Sequence, residues 1–271
     1  MDVGGGLRGI YGAGILDYCI DNDINFDVCI GVSAGSANMV SYMAKQRGRN
    51  YDFYYDYSFR PEYISLSNYT HTGSYLDLDY VYSDLTNAGC ENPLDFDAMN
   101  KSSKELVVVA TNAYTGKPKY FTKSDMQQDN YDVLKASCCI PIINKPYEVD
   151  GIPYIDGGVS DPIPVQKALD MGCDKVILVL TKPRDFYLNG RWDKIFSNLM
   201  RGNYKGSAEA VKNRPLVYNK ELDFAKSLEG QGVVQIISPS KDLGMGTFTK
   251  DKSKLDELYH LGYSDAKQIN I

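Results

Sequence analysis

Apolar and polar positions along the chain form the blocks of an α/β protein. Residues 10–20 have a helical pattern, and the short apolar run that follows, 26–32, predicts a buried strand. Residues 34–45, rich in Ala, Met and Ser, predict a short buried helix directly after that strand. A buried strand that turns sharply into a helix is typical of an α/β fold.

The alternation continues over most of the remaining chain. Strands are predicted at residues 106–111, 119–121, 154–156, 175–180 and 233–237, with the first two joined as a hairpin. Helices are predicted at residues 131–138, 164–171, 192–213, 220–228 and 252–268. This order predicts repeated strand–helix–strand units that share one sheet.

Residues 50–100 have an irregular pattern and are predicted to form an insertion or a lid. Tyrosine and phenylalanine crowd the first part, between Tyr51 and Tyr63. Such a cluster suits a membrane boundary, where one side is wet, but it also suits a packed subdomain. Asp52, Asp56 and Glu62 interrupt the run and would be repelled by anionic lipid. The charges therefore favour packing.

Length and charge narrow the class of protein. A chain of 271 residues with 43% hydrophobic content can bury a large core, so we expect a single domain over residues 1–271. The net charge of −6 and the lack of a long Lys or Arg run argue against nucleic acid as a partner. The sequence has neither a run of about 18 apolar residues nor a basic leader with a cleavage site. We therefore expect a cytoplasmic protein.

The six cysteines are scattered without the paired spacing of a zinc site, so no metal is predicted. Several lie in apolar contexts, and we interpret them as buried thiols in a reducing cytoplasm rather than as disulfides. Cys138 and Cys139 form the one adjacent pair. At the N-terminus, only three residues precede a glycine run that ought to follow a complete strand. We therefore expect the natural N-terminus to lie further upstream.

The pentapeptide Gly31-Val32-Ser33-Ala34-Gly35 fits the G-x-S-x-G nucleophile elbow. In that elbow a strand turns abruptly into a helix and presents the serine at the turn. Small residues flank the serine because the backbone passes close to its neighbours in a strained conformation. The predicted strand before Ser33 and the predicted helix after it supply this context, so Ser33 is the candidate nucleophile.

The glycine run Gly4-Gly5-Gly6-Leu7-Arg8-Gly9 allows two interpretations. It satisfies the G-x-G-x-x-G pattern of dinucleotide-binding proteins, which requires an acidic residue at the end of the next strand. That strand ends in Ser33 instead, and Asp27 precedes it. The other interpretation is an oxyanion hole, since successive glycines at a helix start expose backbone N–H groups. Arg8 adds a positive charge beside them.

A serine nucleophile needs a base, and the two histidines of the chain are poor candidates for it. His71 lies in the irregular segment and His260 in the predicted terminal helix, each without a motif around it. Asp156, by contrast, closes a predicted strand and is followed by two glycines. A carboxylate can act as the base in a site poor in water, but the same Asp-Gly-Gly is equally well a plain Asx turn.

Together and in this order, three motifs resemble those of the patatin-like phospholipases. They are Gly4-Gly5-Gly6-Leu7-Arg8-Gly9, Gly31-Val32-Ser33-Ala34-Gly35 and Asp156-Gly157-Gly158. Further similarity lies in Ala136-Ser137-Cys138-Cys139-Ile140-Pro141 and in Asp161 with Pro164 after the third motif. The resemblance covers residues 1 to about 185, which would form the core. Residues from about 186 to 271 would form a C-terminal extension.

The resemblance implies a three-layer α/β/α fold with a mainly parallel central sheet and a Ser-Asp dyad that hydrolyses acyl esters of lipids. By position, Ser33 would be the nucleophile and Asp156 the general base. Gly5 and Gly6 would donate the oxyanion hole, and Arg8 would steady that loop or meet a lipid phosphate. No metal or organic cofactor is implied.

The partner implied by the resemblance is an acyl lipid, with transient contact with a membrane surface. The oligomeric state is not predicted. Two alternatives stay open: acyl transfer to an acceptor other than water, which uses the same acyl-enzyme, and a catalytically idle lipid-binding protein. The lipid head group, the acyl position and the chain length are also left open.

Overall fold

The computed structural model of the protein describes residues 1–200, 202 and 204–270. Its strands are β1 (Val28–Val32), β2 (Glu105–Asn112), β3 (Pro118–Thr122), β4 (Tyr147–Val149), β5 (Ile152–Asp156), β6 (Val176–Val179) and β7 (Val234–Ile237). Every predicted strand is confirmed, with ends that differ by one or two residues. The three residues of β4 were not predicted, because so short a strand has no pattern of its own.

Helices lie before, between and after these strands. They are α1 (Ile10–Asp21), α2 (Ala34–Met43), α3 (Arg49–Tyr55), α4 (Leu66–Thr72), α5 (Phe96–Lys101), α6 (Asp132–Ser137), α7 (Val165–Asp170), α8 (Arg191–Met200), α9 (Lys205–Glu229) and α10 (Lys252–Asp265). The irregular segment thus contains the short helices α3, α4 and α5. Phe53, Tyr54, Tyr57 and Tyr63 are buried, which confirms that its aromatic cluster packs.

The helices predicted over 192–213 and 220–228 were divided at the wrong place. Residues 202 and 204 are not helical, so α8 and α9 are separate helices there, and the break predicted near Pro215 is absent. Helix α9 runs through that proline, although a proline removes one backbone donor from a helix. Its ring packs against Gly190, so tertiary contact compensates for the local preference. The helix predicted over 192–213 also spans residues 201 and 203, and the predicted domain ends at residue 271; these three lie outside the described residues.

Strand β2 carries neighbours on both edges. β3 pairs antiparallel with it over residues 107–111, β1 pairs parallel over 105–109, and β5 pairs antiparallel over 110–112. Residues 107–109 of β2 pair with both β3 and β1, and residues 110–111 pair with both β3 and β5. β1 and β5 therefore both lie on the edge of β2 that is opposite β3. The two strands therefore meet end to end beside β2.

The residues before the glycine run join two parts of the sheet. Asp2 forms parallel bridges to Gly31 of β1 and to Val179 of β6. The amide of Asp2 donates to the carbonyl of Ile30 at 2.9 Å, and the amide of Val179 donates to the carbonyl of Met1 at 2.9 Å. This short segment therefore connects β1 to the parallel pair β6 and β7.

Side chains alternate between the two faces of the sheet. Leu106, Val108 and Ala110 of β2 enter the core that α1, α2 and α10 cover. Val107 and Val109 enter a second core, covered by α7 and α9. The fold is thus α/β with three layers, in which β1, β2, β6 and β7 run parallel, while β3, β4 and β5 join the sheet through antiparallel pairs. This confirms the predicted fold class.

Helix α10 lies against α1 at close range. A side chain on Gly14 or on Gly262 would overlap the backbone of the partner helix, so both positions need glycine. The hydroxyl of Tyr11 donates to Asp265 at 2.9 Å in a buried position. The C-terminal helix is therefore packed directly on the first helix of the core.

Candidate active site

Ser33 lies at the sharp turn between β1 and α2, as predicted. Its backbone has φ 55° and ψ −133°, a conformation that non-glycine residues rarely adopt and that costs about 1–3 kcal/mol. A side chain on Gly31 would overlap the backbone of Ser36, and one on Gly35 would overlap the backbone of Asp2. The small residues of the pentapeptide are therefore required by close backbone packing.

The structure brings Ser33 and Asp156 together. The Ser33 hydroxyl donates to Asp156 Oδ2 at 2.6 Å, and both side chains are buried. A hydrogen bond this short between a hydroxyl and a carboxylate is charge-assisted and strong. The pair therefore has the geometry of a nucleophile and a base in contact.

Sheet pairing explains why these two residues meet. Val32, the residue before Ser33, pairs with Val109 of β2, and Asp156 pairs with the next residue, Ala110. Because β1 and β5 approach each other along the same edge of β2, their carboxyl ends face one another. The sequence placed Asp156 at the end of a predicted strand. In the structure that strand, β5, runs antiparallel to β2 and therefore reaches Ser33 from the direction opposite to β1.

The surroundings of Asp156 tune its basicity. Its Oδ1 accepts the Gly158 amide at 2.8 Å, so the second motif glycine holds the carboxylate in place. Burial raises the pKa of Asp156 above its ordinary value of 3.8, while the hydrogen bonds from Ser33 and Gly158 and the charge of Arg214 oppose that rise. A raised pKa makes a carboxylate a stronger base.

Ser137 supports the turn and was missed as a site residue, although its segment was recognised. Its hydroxyl accepts the Ser33 amide at 2.9 Å and donates to the Val109 carbonyl at 2.6 Å, all buried. It therefore ties the strained turn to the middle of β2. The signal in the sequence was the similarity of the segment around Ser137 to the family, which gives no role for the hydroxyl.

Gly4, Gly5 and Gly6 form the loop that faces Ser33. Their φ angles are 64°, 127° and 60°, which only glycine adopts readily. Among the described residues, the amides of Gly5 and Gly6 have no acceptor. These glycines line the same cavity as Ser33 and Asp156. The loop thus offers free N–H groups next to the serine.

Thr247 holds this loop from the C-terminal part of the chain. Its carbonyl accepts the Leu7 amide at 2.9 Å, and its hydroxyl accepts Arg8 Nη1 at 3.2 Å. A side chain on Gly6 would overlap Thr247. Burial lowers the pKa of Arg8, and Arg214 adds to that effect. No pattern around Thr247 could have indicated this contact from the sequence.

Neither histidine is placed to act as a base for Ser33. His71 is exposed on α4, where its ring contacts the Ser67 carbonyl. His260 is exposed on α10, with Nε2 at 3.6 Å from Asp256. Neither lines the cavities that contain Ser33. The sequence-based rejection of both histidines as bases is consistent with these positions.

Two cavities meet at Ser33 and differ in character. One, of about 640 Å³, is mainly apolar and is lined by residues that include Phe53, Leu78, Val81 and Ile140. The other, of about 890 Å³, is lined by polar groups that include the glycine loop and the cations Arg8, Lys182 and Arg214. Ser33 therefore stands between an apolar and a cationic compartment.

Other expected features concern thiols, metals and membranes. The six cysteines are free thiols, and Cys19, Cys29, Cys138 and Cys139 are buried. Within residues 1–200, 202 and 204–270, no group of three His, Cys, Asp or Glu side chains is placed to hold a metal ion. Over the same residues, the helices are too short or too polar to cross a bilayer.

The sequence is similar to proteins from several bacteria. Protein YjjU of Escherichia coli K12, described as uncharacterized, is 28% identical over 265 residues, which span 96% of this chain and 73% of that protein. An uncharacterized NTE family protein of Mycobacterium tuberculosis is 34% identical over 71 residues, or 26% of this chain and 19% of its own length. VipD from Legionella pneumophila has a similar structure, with TM-score 0.49 and 14% identity, over 98% of this chain and 65% of VipD.

Two family models match separate parts of the chain. A domain of unknown function matches residues 204–269. The model of the patatin-like phospholipases matches residues 3–169, which include the glycine loop, Ser33 and Asp156. This match covers more than half of the chain and agrees with the resemblance seen in the sequence. The chain therefore belongs to the patatin-like phospholipase family, a family of lipid acyl hydrolases.

Proposed function

We propose that the protein hydrolyses carboxylic esters of acyl lipids, with Ser33 as nucleophile and Asp156 as general base. The observation that carries this proposal is the 2.6 Å hydrogen bond from the Ser33 hydroxyl to Asp156 at a strained turn. Family membership supports the lipid substrate. The dyad and the covalent intermediate are our own inference.

The proposed reaction has two halves. Asp156 takes the proton of Ser33 as the hydroxyl oxygen attacks the ester carbonyl, and the protonated Asp156 then donates to the departing alcohol oxygen. The acyl group remains on Ser33. A water molecule gives its proton to Asp156 and attacks this acyl ester, which releases the fatty acid and returns the proton to Ser33.

The glycine loop would stabilise the negative charge on the carbonyl oxygen. Free amides of Gly5 and Gly6 beside Ser33 are suited to this role, and α2 begins directly after Ser33, with its positive end towards the site. Loss of one such donor typically lowers the rate about 10²–10³-fold. Arg8 would act through the loop, because its guanidinium contacts Thr247 rather than an acid.

The two cavities suggest how a lipid would lie. The apolar cavity would hold the acyl chain, and its wall includes Phe53, Tyr54 and Tyr63 of the aromatic cluster. The cationic cavity would hold the rest of the lipid. Arg8 and Lys182 have no carboxylate within 4.0 Å among the described residues, whereas Arg214 is paired with Asp193. A phosphate-bearing glycerol would complement this wall, so we propose phospholipase A or lysophospholipase activity.

Substitution of the dyad tests the proposal. Ser33→Ala and Asp156→Asn should each abolish hydrolysis of p-nitrophenyl butyrate while the fold remains. Asp161→Asn is the matched control, because Asp161 is also a buried carboxyl but contacts Tyr120 instead of Ser33. Near-wild-type activity of Asp156→Asn would exclude the dyad.

Two further experiments address the alternatives. A fluorophosphonate probe should label the wild-type protein at Ser33, and absence of labelling would support an idle lipid-binding protein. Product analysis with and without an alcohol acceptor distinguishes hydrolysis from acyl transfer, since a transferase forms a new ester. Comparison of phospholipids with neutral glycerides, with Lys182→Gln as the variant, tests the proposed phosphate contact.

We also propose where the protein acts and how it is organised. Free thiols at all six cysteines suit a reducing cytoplasm, with transient contact with a membrane surface during catalysis. The contacts of α10 with α1, and of Thr247 with the glycine loop, support one domain over residues 1–271. The segment after about residue 185 would then complete the site.

A further inference from the structure

Helix α8 carries an apolar face that the described part of the chain leaves uncovered. The side chains of Trp192, Ile195 and Leu199 are 64%, 46% and 68% exposed. Spaced three and four residues apart, they lie on one side of the helix. Large apolar side chains grouped in this way mark an interaction surface.

A further exposed apolar side chain lies on α9, one residue after a contact between α9 and the segment before α8. Leu216 is 72% exposed and directly follows Pro215, which packs against Gly190 at the start of α8. The other side of α8 faces the protein, where Phe196 packs against the apolar cluster that contains Val211. We call Trp192, Ile195 and Leu199 the apolar face.

Positive charge borders the apolar face. Arg191 and Lys194 are exposed and, at about 100° per residue, lie along the solvent side of the apolar face. Residues 191–220 contain seven Lys and Arg and only two acidic residues, in a chain whose net charge is −6. An apolar stripe with cations along its border is the pattern of a helix that lies in the plane of a membrane.

The apolar face is attached to the wall of the cavity that contains Ser33. Leu188 and Arg214 line that cavity. Asp193 of α8 pairs with Arg214 at 2.8 Å, and the Leu188 amide and carbonyl both bond to Asn219 of α9, at 2.9 and 3.0 Å. A surface that holds α8 would therefore lie close to one wall of the cavity that contains Ser33.

We propose that the apolar face docks the protein on an anionic lipid surface, with Arg191 and Lys194 at the level of the phosphates. The docking rests on the proposed function and deepens it, because it assigns the transient membrane contact to one surface of the chain. The proposed membrane contact lies on α8 rather than on the aromatic cluster of residues 51–63, because the large side chains of that cluster are mostly buried. The partner is an anionic bilayer, recognised by apolar area and charge.

Trp192 provides a direct readout, because it is the single tryptophan of the chain. Vesicles of phosphatidylglycerol should shift its emission to shorter wavelength, and lipids brominated on the acyl chain should quench it. Vesicles of phosphatidylcholine alone should do so much less, and added salt should weaken the effect. Binding without any change in Trp192 emission would overturn the proposal, as would equal binding to both lipids.

Matched variants test the apolar face itself. Leu199→Ser should weaken co-sedimentation with phosphatidylglycerol vesicles about tenfold, since a largely exposed leucine loses its burial in lipid. Leu66→Ser is the control, because Leu66 is 74% exposed but lies on α4. Arg191→Gln with Lys194→Gln should reduce the preference for anionic lipid. An equal loss in Leu66→Ser would overturn the proposal.

Two measurements separate this inference from its alternatives. Hydrolysis of dissolved p-nitrophenyl butyrate should be unchanged in Leu199→Ser, while hydrolysis of vesicle lipid should fall. If Leu199→Ser lost both activities, the docking role would be contradicted. If the wild-type protein did not hydrolyse the dissolved ester, the proposed function would be contradicted instead. A dimer in light scattering that Leu199→Ser converts to a monomer would assign the face to a second copy and overturn the proposal.

Discussion

The hydroxyl of Ser137 should control the reactivity of Ser33 without touching a substrate. It accepts the Ser33 amide at 2.9 Å and donates to the Val109 carbonyl at 2.6 Å. Ser137→Ala removes both contacts and leaves a buried amide and a buried carbonyl without partners. The buried amide is that of Ser33, whose backbone is held at φ 55°.

The size of the effect follows from these contacts. A buried polar group without a partner costs about 1–3 kcal/mol, so two such groups should lower the unfolding free energy by about 2–6 kcal/mol. The turn at Ser33 stores about 1–3 kcal/mol of strain, which it can release once its amide is free. A displacement of about 1 Å of the nucleophile can then cost about a hundredfold in kcat. KM should change little, since Ser137 lies behind the turn.

Urea unfolding and hydrolysis of p-nitrophenyl butyrate measure the two effects separately. Ser207→Ala is the control, because the buried Ser207 hydroxyl donates to the Ala113 carbonyl at 2.8 Å, away from Ser33. The control should lose stability but keep kcat. If Ser137→Ala kept the wild-type kcat at a temperature where it is folded, the positioning role of Ser137 would be refuted.

Three further predictions concern pH and folding. Because burial raises the pKa of Asp156 and only its carboxylate form accepts a proton, kcat/KM should fall at low pH through a midpoint above 3.8; a lower midpoint would contradict the proposed base. Burial and the neighbouring Asp161 raise the pKa of Glu221 above its unfolded value of 4.5, so its stabilising effect is complete below that value and is lost as pH rises through the folded pKa. Glu221→Gln should therefore flatten the decrease in unfolding free energy between pH 4.5 and about 8, measured by urea unfolding, and an unchanged slope would count against this coupling. Gly14→Ala should push α1 away from α10, because the added methyl group would overlap the backbone of α10. If residues 1–271 form one domain, this variant should unfold in a single transition with a lower midpoint urea concentration. Two separate transitions would contradict a single domain.

The sequence predicted those parts of the fold that depend on local pattern. Strands such as β1 and β2 are runs of apolar residues, and their prediction needed only that run. The break at Pro215 was wrong because the contact of its ring with Gly190 is made between residues 25 positions apart. A single sequence contains no local signal for such a contact.

The candidate site divides in the same way. Ser33 and the glycine loop are short motifs with strong backbone requirements, so the sequence identified them directly. Asp156 was ambiguous by itself, since its two glycines also suit a plain turn. The end-to-end approach of β1 and β5 along β2, which brings Asp156 to Ser33, depends on the pairing of distant strands. The contact of Thr247 with the glycine loop also joins segments that are distant in sequence, and no motif around Thr247 indicates it.

The position of Thr247 bears on the role of the C-terminal segment. Thr247 fixes the glycine loop through Leu7, and Arg214 and Tyr218 line the cavity that contains Ser33. The residues up to Asp156 therefore supply the proposed reacting groups, while residues beyond 204 supply one wall of their cavity and one support of the proposed oxyanion hole. Because a loop displaced by about 1 Å can cost about a hundredfold in rate, changes in this segment should alter catalysis without altering any motif. Substrate preference among relatives with the same three motifs should accordingly follow the residues at positions such as 214 and 218.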